Sequence, residues 1–379
     1  MSTNLRVMTV FGTRPEAVKM APLVKELEQA PEIDSLVCVT AQHREMLDQV
    51  LSVFEIQPDD DLDIMEPNQT LGTVTRKALM GMEAVIARRK PDIVLVHGDT
   101  TTTFAAALAA FYQSVAIGHV EAGLRTYDKF SPYPEEMNRQ LADVLADMYF
   151  APTVWSAENL RSEGKPAERV YVTGNTVVDA IKTTVRKDYR HPVLDSIPGT
   201  SRIVYMTAHR RENFGEKLQN LCRAALDIVE EFPDVHLIFP VHLNPHVQES
   251  VRGILNNHQR VHLIEPLGVI DNHNFMARAT LILSDSGGIQ EEAPTLGVPV
   301  LVLRDTTERP EGIEAGTLKL VGTNRWEVQA QARTLLTDEQ AYHDMAGRKN
   351  PYGDGHASER IVAAILHYFQ RAERPMPFL

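Results

Sequence analysis

Carboxylate side chains follow apolar segments in the first half of the chain. Asp99 comes directly after the apolar run at 92–98, Glu121 follows the run at 115–120, and Glu135 follows the proline-rich stretch SPYP. Because the carboxyl ends of parallel strands meet at one edge of a sheet, we expect these carboxylates to lie close together. Carboxylates packed together raise one another's pKa values, which suits them to general acid and base catalysis.

A second chemical signal is the stretch SDSGGIQEE at 284–292. Ser286, Gly287 and Gly288 open a predicted helix, whose first N–H groups bind anions, and glycine permits close approach of a phosphate. Glu292 lies about one turn further on, where a carboxylate can accept both hydroxyls of a ribose. The stretch therefore predicts a site for a pyrophosphate that carries a nucleoside, with a serine-capped helix of no further function as the alternative.

Basic side chains near other predicted helix starts suit the same kind of ligand. Arg14 and Lys19 lie in FGTRPEAVK, where a strand is expected to turn into a helix, and Arg309 lies in RDTTERPEG. The positive end of a helix disfavours cations, so Arg14 and Lys19 are better explained by an anionic ligand. Arginine in particular matches the geometry of phosphate.

Histidines in the second half also follow predicted strands. His209 lies in TAHRRENFG, and His242 lies in FPVHLNPH together with His246. The spacing of His242 and His246 would suit metal binding on a helix, but Pro245 disrupts that helix and no carboxylate completes the ligand set. The sequence therefore predicts no metal site.

Composition limits the class of protein. The chain has 379 residues, which favours two domains, and a net charge of −13, which disfavours binding to nucleic acid or acidic lipid. Its two cysteines, Cys38 and Cys222, are interpreted as small core residues of a protein in a reducing compartment. We expect a cytoplasmic protein without signal peptide or membrane span. We also expect no nicotinamide or other cofactor, because neither G-x-G-x-x-G nor a Walker A motif occurs.

The elements that position these residues alternate between strands and helices along the whole chain. The predicted strands are 5–11, 35–40, 92–98, 115–120, 148–152 and 169–174, then 201–207, 235–241, 261–266, 280–285, 298–303 and 317–322. Uninterrupted apolar strands alternating with amphipathic helices indicate doubly wound parallel sheets of the α/β class. We therefore predict two Rossmann-like domains, 1–185 and 186–379, which face a central ligand cleft. The linker is placed at 186–202, and the last helix is expected on either domain.

Taken together, the motifs resemble those of the non-hydrolysing bacterial UDP-N-acetylglucosamine 2-epimerase family. The resemblance spans nearly the whole chain, and it rests on FGTRPEAVKMAPL, TAQHREMLDQVL, HGDTTTT, HVEAGLRT, SPYPEEMNRQ, VTGNTVVDA, HRRENFG, PVHLNP, SDSGGIQEEAP, RDTTERPEG and NPYGDG. So many long motifs in one order make the resemblance specific.

The resemblance implies the GT-B architecture of two-domain glycosyltransferases and a reversible conversion to UDP-N-acetylmannosamine. In that reaction UDP is eliminated to give a 2-acetamidoglucal and then added back. The acid/base candidates implied by motif are Asp99, Glu121 and Glu135, with His209 beside the departing phosphate. The residues implied to hold UDP are Arg14, Lys19, Ser286, Gly287, Gly288, Glu292 and Arg309.

The family resemblance further implies a homodimer, supply of ManNAc units for cell-surface polysaccharide, and a second UDP-N-acetylglucosamine molecule that acts as an activator. Residues that match the activator site are Gln42, His43, Gln69, Glu135, Arg211 and His242. The chain departs from the family pattern at Asn272, where many members place a phenylalanine near the uracil, and at Glu45 and Asn68 near the activator. The departure at Asn272 implies that stacking on the base is weaker or comes from elsewhere. Those at Glu45 and Asn68 make activation less firmly implied than catalysis.

Three other functions share parts of this pattern. A retaining glycosyltransferase would have the same fold and UDP site but would need an acceptor sugar. A hydrolysing epimerase would release free N-acetylmannosamine. A sensor of nucleotide sugars would keep SDSGGIQEE without needing Asp99, Glu121 and Glu135, so the presence of all three carboxylates disfavours it.

Overall fold

The fold consists of two compact units, which we call unit 1 and unit 2. The structure, a computed structural model, describes residues 4–42, 44–66, 69–256, 258–307 and 309–379, except for the side chains of Glu45, Arg211 and His246. Unit 1 comprises Met1–Ala180 with Gly353–Leu379, and unit 2 comprises Ile181–Tyr352.

Unit 1 is built on a parallel sheet that, within the described residues, has seven strands in the order β3-β2-β1-β4-β5-β6-β7. The strands are β1 Leu5–Phe11, β2 Ile33–Val39, β3 Asp60–Asp61, β4 Ile93–His97, β5 Ala116–Val120, β6 Met148–Ala151 and β7 Val170–Val172. The helices are α1 Arg14–Gln29, α2 Arg44–Val53, α3 Leu71–Arg89, α4 Thr101–Tyr112, α5 Glu135–Leu145, α6 Val154–Ser162, α7 Thr176–Thr184 and, from the C-terminal segment, α16 Ala357–Tyr368.

Unit 2 repeats this plan with a parallel sheet that has six strands in the described part of the chain, in the order β10-β9-β8-β11-β12-β13. The strands are β8 Arg202–Thr207, β9 Val235–Pro240, β10 Val261–Ile264, β11 Leu281–Ser284, β12 Val300–Val302 and β13 Leu318–Leu320. The helices are α8 Pro192–Ser196, α9 Glu216–Glu231, α10 Pro245–Leu255, α11 Val269–Arg278, α12 Gly287–Glu292, α13 Pro310–Glu314, α14 Arg325–Thr337 and α15 Glu339–Ala346.

The central strands of both sheets are buried on two faces. In β4, for example, Val94 and Val96 pack into one core cluster with Met8 and Val10 of β1, and all four are fully buried. This explains why the strands have uninterrupted apolar sequences, which predicted the α/β fold with parallel sheets correctly.

Each sheet has a switch point, at which the strand order reverses. In unit 1 it lies between β1 and β4, and in unit 2 it lies between β8 and β11. Ligands of doubly wound sheets bind outside the carboxyl ends of the strands at such a point. The loops that follow these four strands are therefore the expected positions of functional side chains.

All predicted strands overlap observed ones, but β3 was missed. It lies in the acidic stretch PDDDLDIMEP, whose composition is typical of a solvated loop. Asp60 differs from that expectation, because it is only 9% exposed. The Asp60 carboxylate accepts hydrogen bonds from Arg88 and from Nε of Arg89 (2.8 Å), which stabilises its charge in the sheet.

The last segment of the chain belongs to unit 1. Asp179 accepts hydrogen bonds from the N–H groups of Ala357 (3.2 Å) and Ser358 (2.8 Å), which caps the start of α16. The N–H of Phe378 donates to the carbonyl of Val172 (2.8 Å). The compact units thus change at 180/181, inside α7, and at 352/353, compared with the single predicted boundary at 185/186.

Candidate active site

The Glu16 carboxylate connects the loops after β1 and β4, the two strands at the switch point of unit 1, by hydrogen bonds. It is 2% exposed, and its carboxylate accepts hydrogen bonds from the N–H groups of Gly12 (3.0 Å) and Thr13 (2.8 Å) and from Oγ1 of Thr100 (2.8 Å). Burial raises the pKa of Glu16, while the hydrogen bonds from Thr100 and Gly12 oppose that increase. Sequence reasoning missed this residue, although the T-x-x-E spacing of a capping box was a signal for it.

Asp99 lies in the loop between β4 and α4, as predicted. Its carboxylate accepts a hydrogen bond from Nη2 of Arg139 (2.5 Å), and its carbonyl accepts one from Nδ2 of Asn138 (3.0 Å). Gly98, with φ of +65°, makes the turn out of the strand in the left-handed region that favours glycine. Asp99 is therefore a fixed carboxylate whose side chain remains 27% exposed.

Glu121 directly follows β5 and has a backbone φ of +65°, which is uncommon for a residue with a side chain. Its Oε2 accepts a hydrogen bond from Nδ2 of Asn175 (2.8 Å) and forms an ion pair with Lys19. A Cβ atom at Gly98 would lie 3.8 Å from Oε1 of Glu121, so Glu121 lies beside the Asp99 loop. The structure therefore places Lys19, predicted to hold UDP, next to an acid/base candidate.

Glu135 and Glu136 are neighbours at the start of α5 with different environments. The Glu136 carboxylate is fully buried and accepts hydrogen bonds from the N–H groups of Thr126 (3.1 Å) and Tyr127 (3.0 Å). In the described part of the chain, the buried Oε2 of Glu135 has no hydrogen-bond partner. Leaving a buried acceptor unsatisfied costs about 1–3 kcal/mol, which favours a ligand contact for Glu135 and a structural role for Glu136.

Arg14 is the first residue of α1 and is partly exposed. Among the described residues, no side chain or carbonyl forms a hydrogen bond or ion pair with its guanidinium. Its five donors are thus available for an anion at this helix start, and the phosphate contact stays a prediction.

Asp285 is a buried carboxylate that connects the loops at the switch point of unit 2, as Glu16 does in unit 1. It is fully buried directly after β11, and it accepts hydrogen bonds from the N–H groups of His209 (3.0 Å) and Arg210 (2.9 Å) and from Nδ2 of Asn213 (2.9 Å). It fixes the loop that carries His209. Sequence reasoning did not single it out, although an aspartate directly after a buried strand was a signal for it.

His209 is a partly exposed imidazole held beside Asp285. Its Nδ1 lies 3.3 Å from Oδ1 of Asp285, and 41% of its side chain is exposed. Burial lowers the pKa of His209, Asp285 opposes that decrease, and Arg210 and His242 add to it. The ring of His242, predicted for the activator site, stacks beside that of His209 with the centroids 6.1 Å apart.

One of the three backbone donors predicted for the anion site at the start of α12 already has a partner within the protein. The N–H of Ser286 donates to Oγ of Ser284 (3.0 Å), so of the three predicted residues Gly287 and Gly288 keep backbone donors for an anion. A Cβ at Gly288 would lie 3.2 Å from Oε1 of Glu292, so a larger residue at this position would require the Glu292 carboxylate to shift slightly. Glu292 faces the same turn, and its side chain is 14% exposed.

Arg309 and Asn272 each form a hydrogen bond with a buried residue of unit 2. Arg309 donates from Nε to Oε1 of the buried Glu291 (2.8 Å), which places its guanidinium beside α12. Oδ1 of Asn272, the residue that departs from the family pattern, accepts a hydrogen bond from the hydroxyl of the buried Tyr205 (2.6 Å). Asn272 is therefore fixed within unit 2 by polar contact.

The predicted activator residues are only partly described. Nε2 of Gln69 donates to the carbonyl of Gln42 (3.2 Å), so these two lie together in unit 1. His43 and the side chain of Arg211 lie outside the described residues, as do Asn68 and the side chain of Glu45.

Among the residues that the structure describes, no group of three or more His, Cys, Asp or Glu side chains is arranged to hold a metal ion. In the same part of the chain, no helix is both long and apolar enough for a membrane span.

Comparison with known proteins gives consistent matches over the full chain. The family model for UDP-N-acetylglucosamine 2-epimerase matches residues 25–366. The UDP-N-acetylglucosamine 2-epimerase of Bacillus subtilis is 59% identical over 376 residues, with 99% of each chain covered.

Solved structures agree. A UDP-N-acetylglucosamine 2-epimerase structure from Listeria monocytogenes has a TM-score of 0.95 and 56% identity, and the match covers 100% of both chains. The Neisseria meningitidis enzyme bound to UDP-GlcNAc has a TM-score of 0.87 and 50% identity, with 96% of this chain and 100% of that chain covered. The chain belongs to the UDP-N-acetylglucosamine 2-epimerase family.

Proposed function

We propose that this chain interconverts UDP-N-acetylglucosamine and UDP-N-acetylmannosamine by inverting the sugar at C2. Family membership supports the proposal, as does the Neisseria meningitidis relative, which was solved with UDP-GlcNAc bound. The observation that carries it is the grouping of Asp99, Glu121 and Glu135 in the loops and helix start around the carboxyl edge of the unit 1 sheet. Binding of a nucleotide sugar alone does not require such a set.

The reaction is an elimination followed by an addition. A carboxylate takes the C2 proton, the C–H electron pair forms the C1–C2 double bond, and the C1–O bond breaks with its electrons going to UDP. UDP then adds back at C1 of the 2-acetamidoglucal while a carboxylic acid protonates the other face of C2. Protons, charges and atoms balance over the cycle, so no cofactor is consumed.

The environment of Glu121 suits the base. The proton on C2, the carbon that carries the acetamido group, is weakly acidic. Its removal therefore needs a positioned, ionised carboxylate. The ammonium of Lys19 and the amide of Asn175 both donate to Oε2 of Glu121, and donors favour the ionised form. Asp99 and Glu135 are the further acid/base candidates.

The leaving group is assigned to residues of unit 2. The N–H groups of Gly287 and Gly288 at the start of α12 suit the pyrophosphate, with Arg309 beside that helix, and Glu292 suits the ribose hydroxyls. His209, held by Asp285, suits the phosphate that departs from C1. We also assign Arg14 of unit 1 to the UDP phosphates.

Further parts of the proposal rest on the family resemblance. They are a non-hydrolysing reaction, activation by a second UDP-N-acetylglucosamine, a cytoplasmic homodimer, and ManNAc supply for cell-surface polysaccharide. The hydrogen bond between Gln69 and Gln42 supports the part of the activator site that lies in unit 1.

The decisive experiment is incubation of the purified chain with UDP-N-acetylglucosamine in heavy water. We expect deuterium at C2 and UDP-N-acetylmannosamine as product, both followed by proton NMR. No exchange at saturating substrate would refute the proposal. Release of free N-acetylmannosamine would indicate a hydrolysing enzyme, and turnover only with an added acceptor sugar would indicate a transferase.

A further inference from the structure

His97 is a buried histidine whose ring nitrogens are unsatisfied. It is the last residue of β4 and is 4% exposed. Within the described residues, neither Nδ1 nor Nε2 has a hydrogen-bond partner. A buried polar group without a partner destabilises the fold, so its presence calls for a reason other than packing.

A second histidine on the neighbouring strand shows that this environment does not by itself prevent hydrogen bonding. His119 lies one register position away, since Val96 pairs with His119 and His97 pairs with Val120. Nδ1 of His119 lies 2.7 Å from the Asp143 carboxylate, and its Nε2 lies 2.7 Å from the Gly98 carbonyl. Each ring nitrogen of His119 therefore has a hydrogen-bond partner, unlike those of His97.

His97 faces the carboxylate to which we assign the base. Its Nε2 lies 3.7 Å from Oε2 of Glu121, the oxygen that also contacts Lys19 and Asn175. Burial lowers the pKa of His97 to about 4; Glu121 opposes this, and Lys19 and His119 add to it. The ring is therefore neutral near pH 7. A nitrogen lone pair facing a carboxylate oxygen is repelled, so the tautomer with hydrogen on Nε2 is favoured.

We propose that His97 is a positioning residue for Glu121: its Nε2–H closes on Oε2 and, with Lys19 and Asn175, holds the carboxylate so that Oε1 receives the C2 proton. The inference rests on the proposed base role of Glu121. A separation of 3.7 Å is longer than a hydrogen bond, but catalytic hydrogen bonds commonly tighten only in the substrate complex. Because the ring is neutral, this contact orients Glu121 without adding a second positive charge beside Lys19.

Two amide variants test the position of the donor. In His97→Gln the side-chain nitrogen reaches the place of Nε2, whereas in His97→Asn it is one methylene too short. We expect His97→Asn to lower kcat for C2 exchange by about tenfold or more with KM within about twofold, and His97→Gln to stay within about threefold of the wild type. Equal kcat values in the two variants, or an effect on KM alone, would overturn the inference.

A second measurement does not depend on the folding of the Asn variant. In wild-type protein with ¹⁵N-labelled histidines, the His97 signals are identified by their loss in His97→Gln. We expect a neutral ring with hydrogen on Nε2 at pH 7, and an imidazolium or hydrogen on Nδ1 would overturn the inference. Wild-type protein that shows no C2 exchange refutes the proposed function instead, which keeps the two failures distinguishable.

Discussion

In each unit, a buried carboxylate joins the loops at the switch point of the sheet. Glu16 of unit 1 accepts hydrogen bonds from the loop after β1 and from Thr100 after β4. Asp285 of unit 2 follows β11 and accepts hydrogen bonds from the loop after β8. The scaffold of the two sites is therefore alike.

The side chains that these loops present are different. In unit 1, Asp99 follows β4 and Glu121 follows the next strand, β5, while Arg14 starts the helix after β1. The unit 2 loops present the imidazole of His209 and the glycine N–H groups that start α12. One arrangement suits proton transfer and the other suits binding of an anion. Function in this fold is thus set by the loops, so substitutions in the two units should affect separable steps.

Glu121→Gln should produce the largest difference between the effect on proton transfer and the effect on UDP binding. Removing the proposed base should lower the rate of C2 deuterium exchange by about 10³-fold, while UDP affinity stays within about twofold. NMR gives the exchange rate and calorimetry gives the affinity. Loss of UDP binding to the same extent as exchange would show that the two units do not divide the work as proposed.

Glu135→Gln and Glu136→Gln form a matched pair of adjacent carboxylates. We expect Glu135→Gln to lower exchange by about 10²-fold with little change in Tm. Glu136→Gln should mainly lower Tm, because it weakens buried hydrogen bonds worth about 1–3 kcal/mol. The opposite pattern would reverse the roles given to the two residues.

Acid should weaken unit 1 through His97. The pKa of its buried ring is about 4, compared with 6.5 for the ordinary group, so between these pH values the unfolded chain binds a proton that the folded chain does not. Stability is then lost as pH falls, by about 2 kcal/mol between pH 7 and pH 5 from this residue. Denaturant unfolding should show that His97→Gln loses about that much less over the same interval.

Glu292→Gln should have the smallest effect, confined to binding. Replacing the carboxylate that suits the ribose should weaken UDP binding by about tenfold, with a smaller change in the exchange rate at saturating substrate. Glu314→Gln on the exposed part of α13 is the control, with no expected change in either quantity. An undiminished affinity in Glu292→Gln would remove Glu292 from the UDP site.

The sequence predicted the strands and the loop positions of Asp99, Glu121 and His209, because buried parallel strands and the residues after them have a local signature. It did not predict that Asn175 and Lys19 meet at Glu121, since the three lie in separate elements. Nor could it distinguish His97 from His119. Both lie on buried strands, and only the placement of Asp143 and the Gly98 carbonyl gives the ring nitrogens of His119 their partners.

The capping of α16 by Asp179 has a consequence for biosynthesis. The segment Gly353–Leu379, which completes unit 1, is made after Ile181–Tyr352, the continuous segment that forms unit 2. On the ribosome, unit 2 has all its strands before unit 1 receives α16, whose Ile361 and Ile365 are fully buried. We therefore expect unit 1 to remain incomplete until unit 2 has been made, and substitutions of the buried Phe378 to disturb unit 1 rather than unit 2.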